Sequence, residues 1–242
     1  MARARWFRAQ SPRPKLACDP TRESYDQAFG LLAAAWTYAL DGKRQTIDFA
    51  YRTLQFLEVE LASLAGGYAE ADSARLPRRQ NPHMHLFEAF LALYEVTCDP
   101  VFMARADAIH ALLEQRFVSA AGALREYFDE SWQPAQGAAG EIVEPGHHFE
   151  WVWLLYQHAR LAARPVSPLA EQLFVFACKY GLDWRSRRAA RRRTVGGGPS
   201  ARSSIAPCRP TSRPGSRSPA RGPLTAIRCR PTSSASSAAC PS

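Results

Sequence analysis

Long apolar runs are missing from this chain of 242 residues. None approaches the ~18 consecutive apolar residues that a membrane span requires, and the richest stretch, Phe29 to Trp36, is too short. The opening residues carry Arg3, Arg5, Arg8, Arg13 and Lys15, and no apolar segment follows them, which excludes a secretory signal of ordinary design. A cytoplasmic protein without a membrane partner is expected. Cysteine is sparse and scattered: Cys18, Cys98 and Cys178 are far apart, and Cys208, Cys229 and Cys240 lie near the C-terminus. No Cys-x-x-Cys pair exists, so neither a zinc knuckle nor a disulfide framework is expected, only buried or incidental thiols.

Acidic residues, lysine and aromatics are all absent after Trp184, and that absence explains the net charge of +9. Residues 185–242 hold 13 Arg, which leaves 18 of the 31 basic residues and all 22 acidic ones in residues 1–184, a net of −4. The basicity belongs to the tail. Rich in Pro and Ser, with Gly196-Gly197-Gly198 near its start, the tail cannot bury enough apolar surface to offset the entropy of ordering, and disorder is expected. Its Arg, Ala, Pro, Ser, Gly, Thr and Cys are the residues with the most G+C-rich codons, the mixture that a G+C-rich gene yields in a wrong reading frame. An Arg/Ser arm that binds nucleic acid by neutralising phosphates is the competing reading. Without aromatics for stacking on bases it is the weaker one, and no specific nucleic-acid partner is expected. Residues 1–18 are expected to be poorly ordered as well.

Between Thr21 and Asp183 the apolar spacing predicts six helices in three hairpins, and hence an all-α fold. The first helix spans about Glu23 to Leu40, with Phe29, Leu32, Ala33 and Trp36 on one face, capped by Thr21 or Ser24 and ended by Asp41-Gly42. The others run from about Gln45 to Ser63, His83 to Val96, Pro100 to Val118 behind an Asp99 cap, His147 to Ala163, and from Ser167-Pro168 to Gly181. The hairpins repeat: Gly66-Gly67-Tyr68-Ala69-Glu70 corresponds to Gly122-Ala123-Leu124-Arg125-Glu126, a shift of 56 residues. Hairpins of this length close into α/α barrels. Short strands at Gly67–Ala71, Ala123–Phe128 and Glu141–Glu144 are expected at the rim.

Two segments break the helical pattern. One is Arg78-Arg79-Gln80-Asn81-Pro82-His83-Met84-His85-Leu86-Phe87-Glu88-Ala89, the other Glu144-Pro145-Gly146-His147-His148-Phe149-Glu150-Trp151. Both crowd polar side chains onto the entry of an apolar helix. His85 and Glu88, like His147 and Glu150, are three residues apart and share a helix face. His83 and His85 invite a metal assignment, but no Cys or Asp completes a ligand set and no metal or other cofactor is expected. A histidine at a helix entry is commonly a cap or a satisfied core group. His110 and His158, on amphipathic helices, are assigned to the core on that basis.

These two runs resemble the signature motifs of the N-acylglucosamine 2-epimerase family of sugar epimerases and isomerases, which includes mannose-type aldose–ketose isomerases and cellobiose 2-epimerases. Tyr25-Asp26-Gln27-Ala28-Phe29 is similar to a third family motif. The resemblance covers about Asp19 to Asp183. It implies part of an (α/α)6 barrel over residues 19–184, with the pocket at one end. It also implies an isomerase needing no cofactor, in which Tyr25, Asn81 and His85 contact the sugar, His147 is one of two catalytic histidines, the second expected beyond Asp183 where the tail holds no His, and Glu150 stands beside His147. The implied chemistry is proton removal next to the carbonyl of an open-chain sugar and return of that proton. The implied partner is a small sugar of mannose, glucose or N-acylhexosamine type, phosphorylated forms included, and full-length relatives imply a homodimer.

Three hairpins are half of a six-hairpin barrel, so the resemblance implies a truncated chain without activity of its own. A non-catalytic half-barrel remnant that at most binds sugar or associates with other chains is the alternative. An α/α-barrel glycosidase would need paired catalytic carboxylates, and the motifs centre on histidine. The open edges are expected to expose large side chains, with Phe29, Trp36, Trp151, Leu154 and Phe174 as candidates. Limited trypsin digestion tests the tail: peptides beyond Arg185 should be released first while the helical body persists, and protection of the tail's Arg sites would contradict a disordered tail.

Overall fold

A computed structural model describes residues 21–73 and 76–183, with two short strands beyond them at 188–189 and 193–194. The chain divides into a unit Met1–Gly197 and a unit Gly198–Ser242, the second lying wholly outside the described residues. The expected segment 1–18 and, those two strands apart, the tail 185–242 also lie outside them.

Six helices form the three expected hairpins: α1 (Ser24–Asp41) with α2 (Arg44–Phe56), α3 (Asn81–Thr97) with α4 (Pro100–Leu112), and α5 (Pro145–Ala162) with α6 (Leu169–Gly181). α1 packs on α3 and α3 on α5, while each even-numbered helix packs on its own odd-numbered partner. Odd helices therefore make an inner row and even helices an outer one, the layout of half an (α/α)6 barrel. The core between the rows holds Leu31, Phe87, Phe90, Phe102, Phe117 and Trp151, all buried. Among the described residues no helix is long and apolar enough to cross a membrane.

The helix ends follow local chemistry. Asp99 caps α4 by accepting the Val101 N–H at 2.9 Å, with Pro100 at the first helical position. Gly42, at φ +60°, closes α1 through its N–H to the Tyr38 carbonyl. The entry to α1 differs from the sequence expectation. Its N-cap is Glu23, whose side chain makes no capping bond, and Ser24 Oγ instead donates to the Glu70 carbonyl at 3.1 Å, since that side chain is buried against the rim.

The repeat is more exact than the sequence suggests. α2 and α4 are offset by 56 residues, and each ends in one wide π turn, Leu57–Leu61 and Leu113–Phe117. Both then enter the same rim turn. Ser63 N–H donates to Gly67 O as Ser119 N–H does to Ala123 O, each at 2.9 Å, and Ala69 N–H reaches Leu61 O as Arg125 N–H reaches Phe117 O. Rim strands are shorter than expected. β1 (Arg78–Arg79) pairs antiparallel with β2 (Tyr127–Phe128), and β3 (Ile142–Val143) falls inside the expected third strand. Gly67–Ala71 forms only isolated bridges, Tyr68 to Ala62 and Ala71 to Glu23, because its backbone is committed to the turn and to α1. β3 pairs antiparallel with β6 (Arg193–Thr194), while β4 (Leu182–Asp183) pairs with β5 (Arg188–Ala189).

Two expectations need correction. Phe29, Trp36 and Phe174 are exposed at 41%, 58% and 49%, but Trp151 and Leu154 are buried, because the α5 face that carries them turns toward α3. Cys98, at the C-cap of α3, is disulfide-bonded, whereas Cys178 is free. Sequence spacing carries no information on which sulfurs approach to bonding distance in the fold.

Glycine at the rim turn is required by space as well as by φ. Gly67 has φ +64°, and a Cβ there would stand 2.6 Å from His83 Nε2 and 2.7 Å from Leu112 Cδ2. Gly42 has a similar φ with nothing within 4 Å. Gly67→Ala should therefore cost about 2–4 kcal/mol of stability and Gly42→Ala only about 1 kcal/mol. Urea unfolding midpoints of the two variants check the difference; equal losses would show that the His83 contact does not constrain the turn.

Candidate active site

Each motif places two histidines at or near the start of an inner helix, and packing gives the two members different jobs. His83 and His148 are buried. His83 Nε2 accepts the Tyr68 N–H at 2.9 Å, and His148 Nε2 accepts the Leu124 N–H at 3.0 Å. Tyr68 and Leu124 are equivalent residues of the two rim turns, so each imidazole ties the turn of one hairpin to the inner helix of the next. His148 Nδ1–H completes its bonding by donating to the Glu144 carbonyl at 3.0 Å. Burial holds both rings neutral, pulling His83 down to about 3 and His148 down to about 4. Phe117 and Trp132 stand edge-on to His83, and His148 stacks on Phe176.

His85 and His147 are the partly open members. His85 Nδ1 lies 3.3 Å from Glu88 Oε2, and its ring packs edge-on against Tyr25 at 5.4 Å and tilted against Phe29 at 4.7 Å. Tyr25 also faces the Arg79 guanidinium, 6.0 Å from its ring centre. Arg79 is held by a salt bridge to the buried carboxylate of Glu70 and, at 3.5 Å, by Glu23. Asn81 opens α3, with its Oδ1 buried and without a hydrogen-bond partner among the described residues.

His147 Nδ1 lies 2.9 Å from Glu126 Oε1 and 3.1 Å from Gln80 Nε2. Glu126 and Gln80 are both buried, and Gln80 Nε2 reaches both Glu126 oxygens, at 3.2 and 3.1 Å. Burial acts to lower the His147 pKa. The hydrogen bond to Glu126 and the charges of Glu126, Glu150 and Glu144 outweigh it, so the net shift is upward. Glu150 thus acts on His147 through its charge, while the hydrogen-bonded carboxylate is Glu126.

The five residues singled out in the sequence fall at the same end of the three inner helices. Tyr25 and His85 are in ring contact across α1 and α3. Gln80, beside Asn81, touches His147 across α3 and α5. Glu126 and Gln80 were missed as site residues. The signal for Glu126 was the repeat itself, which aligns it with Glu70, the carboxylate that holds Arg79. The core assignment of His158 is met by a 2.7 Å contact to Asp107, whereas His110 Nε2 stands 3.4 Å from Glu114 and meets no hydrogen-bond geometry. Inward from Glu88, the concave side of the inner row carries a hollow of about 260 Å³ lined by Leu32, Trp36, Leu91 and Trp153. Among the described residues no group of three or more His, Cys, Asp or Glu could hold a metal ion.

The sequence profile of the N-acylglucosamine 2-epimerase (GlcNAc 2-epimerase) family matches residues 2–190. A mannose-6-phosphate isomerase of Rhizobium meliloti (strain 1021) is 44% identical over 146 residues, covering 58% of this chain and 38% of that protein. A D-mannose isomerase of Thermobifida fusca is 32% identical over 195 residues, covering 74% of this chain and 48% of that protein. The solved cellobiose 2-epimerase of Bacillus thermoamylovorans B4167 superposes with a TM-score of 0.66 at 18% identity, over 73% of this chain and 50% of that one. The chain thus spans half or less of the length of each.

The two buried histidines predict how the protein responds to acid. Their folded pKa values lie below the free value of 6.5, so the folded state binds fewer protons than the unfolded chain between about pH 6.5 and pH 3. Their contribution is complete above pH 6.5 and is lost as pH falls toward 3–4, on the order of 3–5 kcal/mol each. His83→Gln and His148→Gln, which keep an acceptor that does not titrate, should flatten the fall in urea midpoint between pH 7 and pH 4. An unchanged slope in both variants would remove these rings as the acid-sensitive groups.

Proposed function

The chain belongs to the N-acylglucosamine 2-epimerase family, and from that premise we propose that it carries half of the catalytic site of a sugar 2-epimerase or aldose–ketose isomerase. The substrate is a reducing sugar of mannose, glucose or N-acylhexosamine type, free or phosphorylated, a class supported by the names of the mannose isomerases and the cellobiose 2-epimerase to which the chain is similar. The observation that carries the proposal is His147, half-buried at an inner-helix start among three carboxylates, with its pKa raised from the ordinary histidine value.

In the proposed reaction the open-chain sugar lies across the starts of α1, α3 and α5. His147 removes the proton from the carbon next to the carbonyl, and the electron pair left behind delocalises onto the carbonyl oxygen as an enediolate. Delivery of a proton to the opposite face of the same carbon, from a second acid in the half of the site that these three hairpins do not supply, gives the epimer. Returning the abstracted proton to the neighbouring carbon, with the hydroxyl proton moving to the former carbonyl oxygen, gives the ketose. An imidazole both takes and gives a proton near neutral pH, and its carboxylate surroundings stabilise the cation formed midway. Tyr25, Asn81 and His85 contact the sugar, with Asn81 Oδ1 as an unused acceptor, and Glu150 tunes His147 by its charge.

On this reading the 242-residue chain alone does not turn over sugar. Half of the pocket wall would be supplied by hairpins beyond these three, and Trp36 and Trp153 on the concave face remain 58% and 53% exposed. A site open to water on that side loses the electrostatic control that proton abstraction requires.

Solvent deuterium exchange at the carbon next to the sugar carbonyl tests both statements. In a chain extended to six hairpins, His147→Ala should slow exchange by about 10²–10⁴-fold, and His148→Gln should leave most of it. Exchange unaffected by the first substitution would sink the assignment of His147. Turnover by the purified three-hairpin chain, abolished by His147→Ala, would overturn its proposed inactivity.

A further inference from the structure

The contacts around His147 determine which of its nitrogens is free. An indole N–H can only donate, so the 2.8 Å contact of Trp151 Nε1 identifies its Gln80 partner as the carbonyl oxygen Oε1. The amide nitrogen of Gln80 must then face Glu126, with one N–H shared between the two carboxylate oxygens at 3.2 and 3.1 Å. A carboxylate accepts, so the 2.9 Å contact between Glu126 Oε1 and His147 Nδ1 is a hydrogen bond only if the proton is on Nδ1. The 3.1 Å approach of Gln80 Nε2 to His147 Nδ1 is then a contact between two donors that share one carboxylate. His147 Nε2 has no hydrogen-bond partner among the described residues.

We infer that Glu126 is the positioning residue for His147: anchored by Gln80 and Trp151, it fixes the imidazole as the Nδ1–H tautomer and leaves Nε2 as the nitrogen that exchanges protons with substrate. The inference rests on His147 being the proton-transfer group. In the step itself Nε2 takes the carbon-bound proton, and Nδ1 keeps its own. The imidazolium is neutralised by the Glu126 carboxylate, which stays ionised, and the Nε2 proton is then returned to the sugar. No proton passes to Glu126. Glu150, Glu144 and the neighbouring ring of His148 are the other titratable groups that act on this imidazole.

Every member of this chain of contacts lies in the described half-barrel, so it is testable in the chain as it stands, without substrate. In protein labelled with ¹⁵N-histidine, the His147 resonances, assigned by their loss in His147→Gln, should show protonated Nδ1 and bare Nε2 above the titration midpoint. That midpoint should lie above 6.5. In Glu126→Gln the midpoint should fall and the tautomer should relax toward the Nε2–H form that free imidazole prefers, while His148 keeps its spectrum. If the Gln variant loses its helical circular dichroism, Glu126→Asp, which withdraws the oxygen by one methylene, must produce the same relaxation. An Nε2–H tautomer in the parent chain, or a His147 spectrum indifferent to residue 126, would overturn the inference. The deuterium exchange experiment fails independently of these spectra, so a wrong role for His147 and a wrong role for Glu126 are distinguishable.

Discussion

A backbone N–H of each rim turn ends on a buried imidazole from the next hairpin, and the rest of the half-barrel is arranged around that bond. Tyr68 donates to His83 and Leu124 to His148, the same join made twice. A buried N–H without a partner costs about 1–3 kcal/mol, and a charged ring in that place would be a donor instead of an acceptor. The join therefore demands a neutral histidine, and burial supplies the neutrality. The first of the two joins also demands glycine at position 67, where any side chain would strike the ring, whereas the second carries Ala123 at the equivalent place. Hairpin order, rim geometry and the depth of the inner helices are set together by these two contacts.

With the turns fixed, the residue two places after each donor is fixed as well. Glu70 and Glu126 are both buried carboxylates at the end of a rim turn. Glu70 holds Arg79 and Glu126 holds His147. One scaffold is thus used twice to present a cationic or titratable group at the mouth of the inner row, with the chemistry chosen by the side chain placed opposite. Trp132 adds a cross-tie between the two turns: its indole N–H donates to the Gly66 carbonyl at 2.8 Å, and its ring packs among His83, Phe117 and Phe128.

The concave side is less complete than the rim. Trp36 and Trp153 face a hollow rather than a packed core, and each large apolar side chain left in water forgoes about 1.5–3 kcal/mol. A few such residues weigh heavily against the about 5–15 kcal/mol that stabilises an ordinary domain. Trp151 escapes this exposure because its helix face meets α3 and its indole is bonded to Gln80. The rim is therefore well bonded, while the floor beneath it is open.

Helical periodicity, the Asp99 cap and the glycine turns read directly from the chain, because they depend on residues a few positions apart. The 56-residue repeat was legible for the same reason, being a pattern of local turns. The two histidine motifs were visible too, with Tyr25, Asn81, His85, His147 and Glu150 as candidates. Adjacent residues on a helix point about 100° apart, so His147 and His148 cannot both face the pocket. Which one does depends on how α5 is rotated against its neighbours. Burial of Trp151 and the reach of Leu124 N–H to His148 set that rotation, and both are contacts across the fold. The repeat aligns Glu126 with Glu70, but its contact with His147, 21 residues later, is not legible in the sequence for the same reason. Local residue order sets the helices, their repeat and the residue types gathered at the inner-helix entries. Only tertiary packing decided which imidazoles are buried as neutral acceptors and which is held open by a carboxylate, because that choice depends on groups brought together from distant parts of the chain.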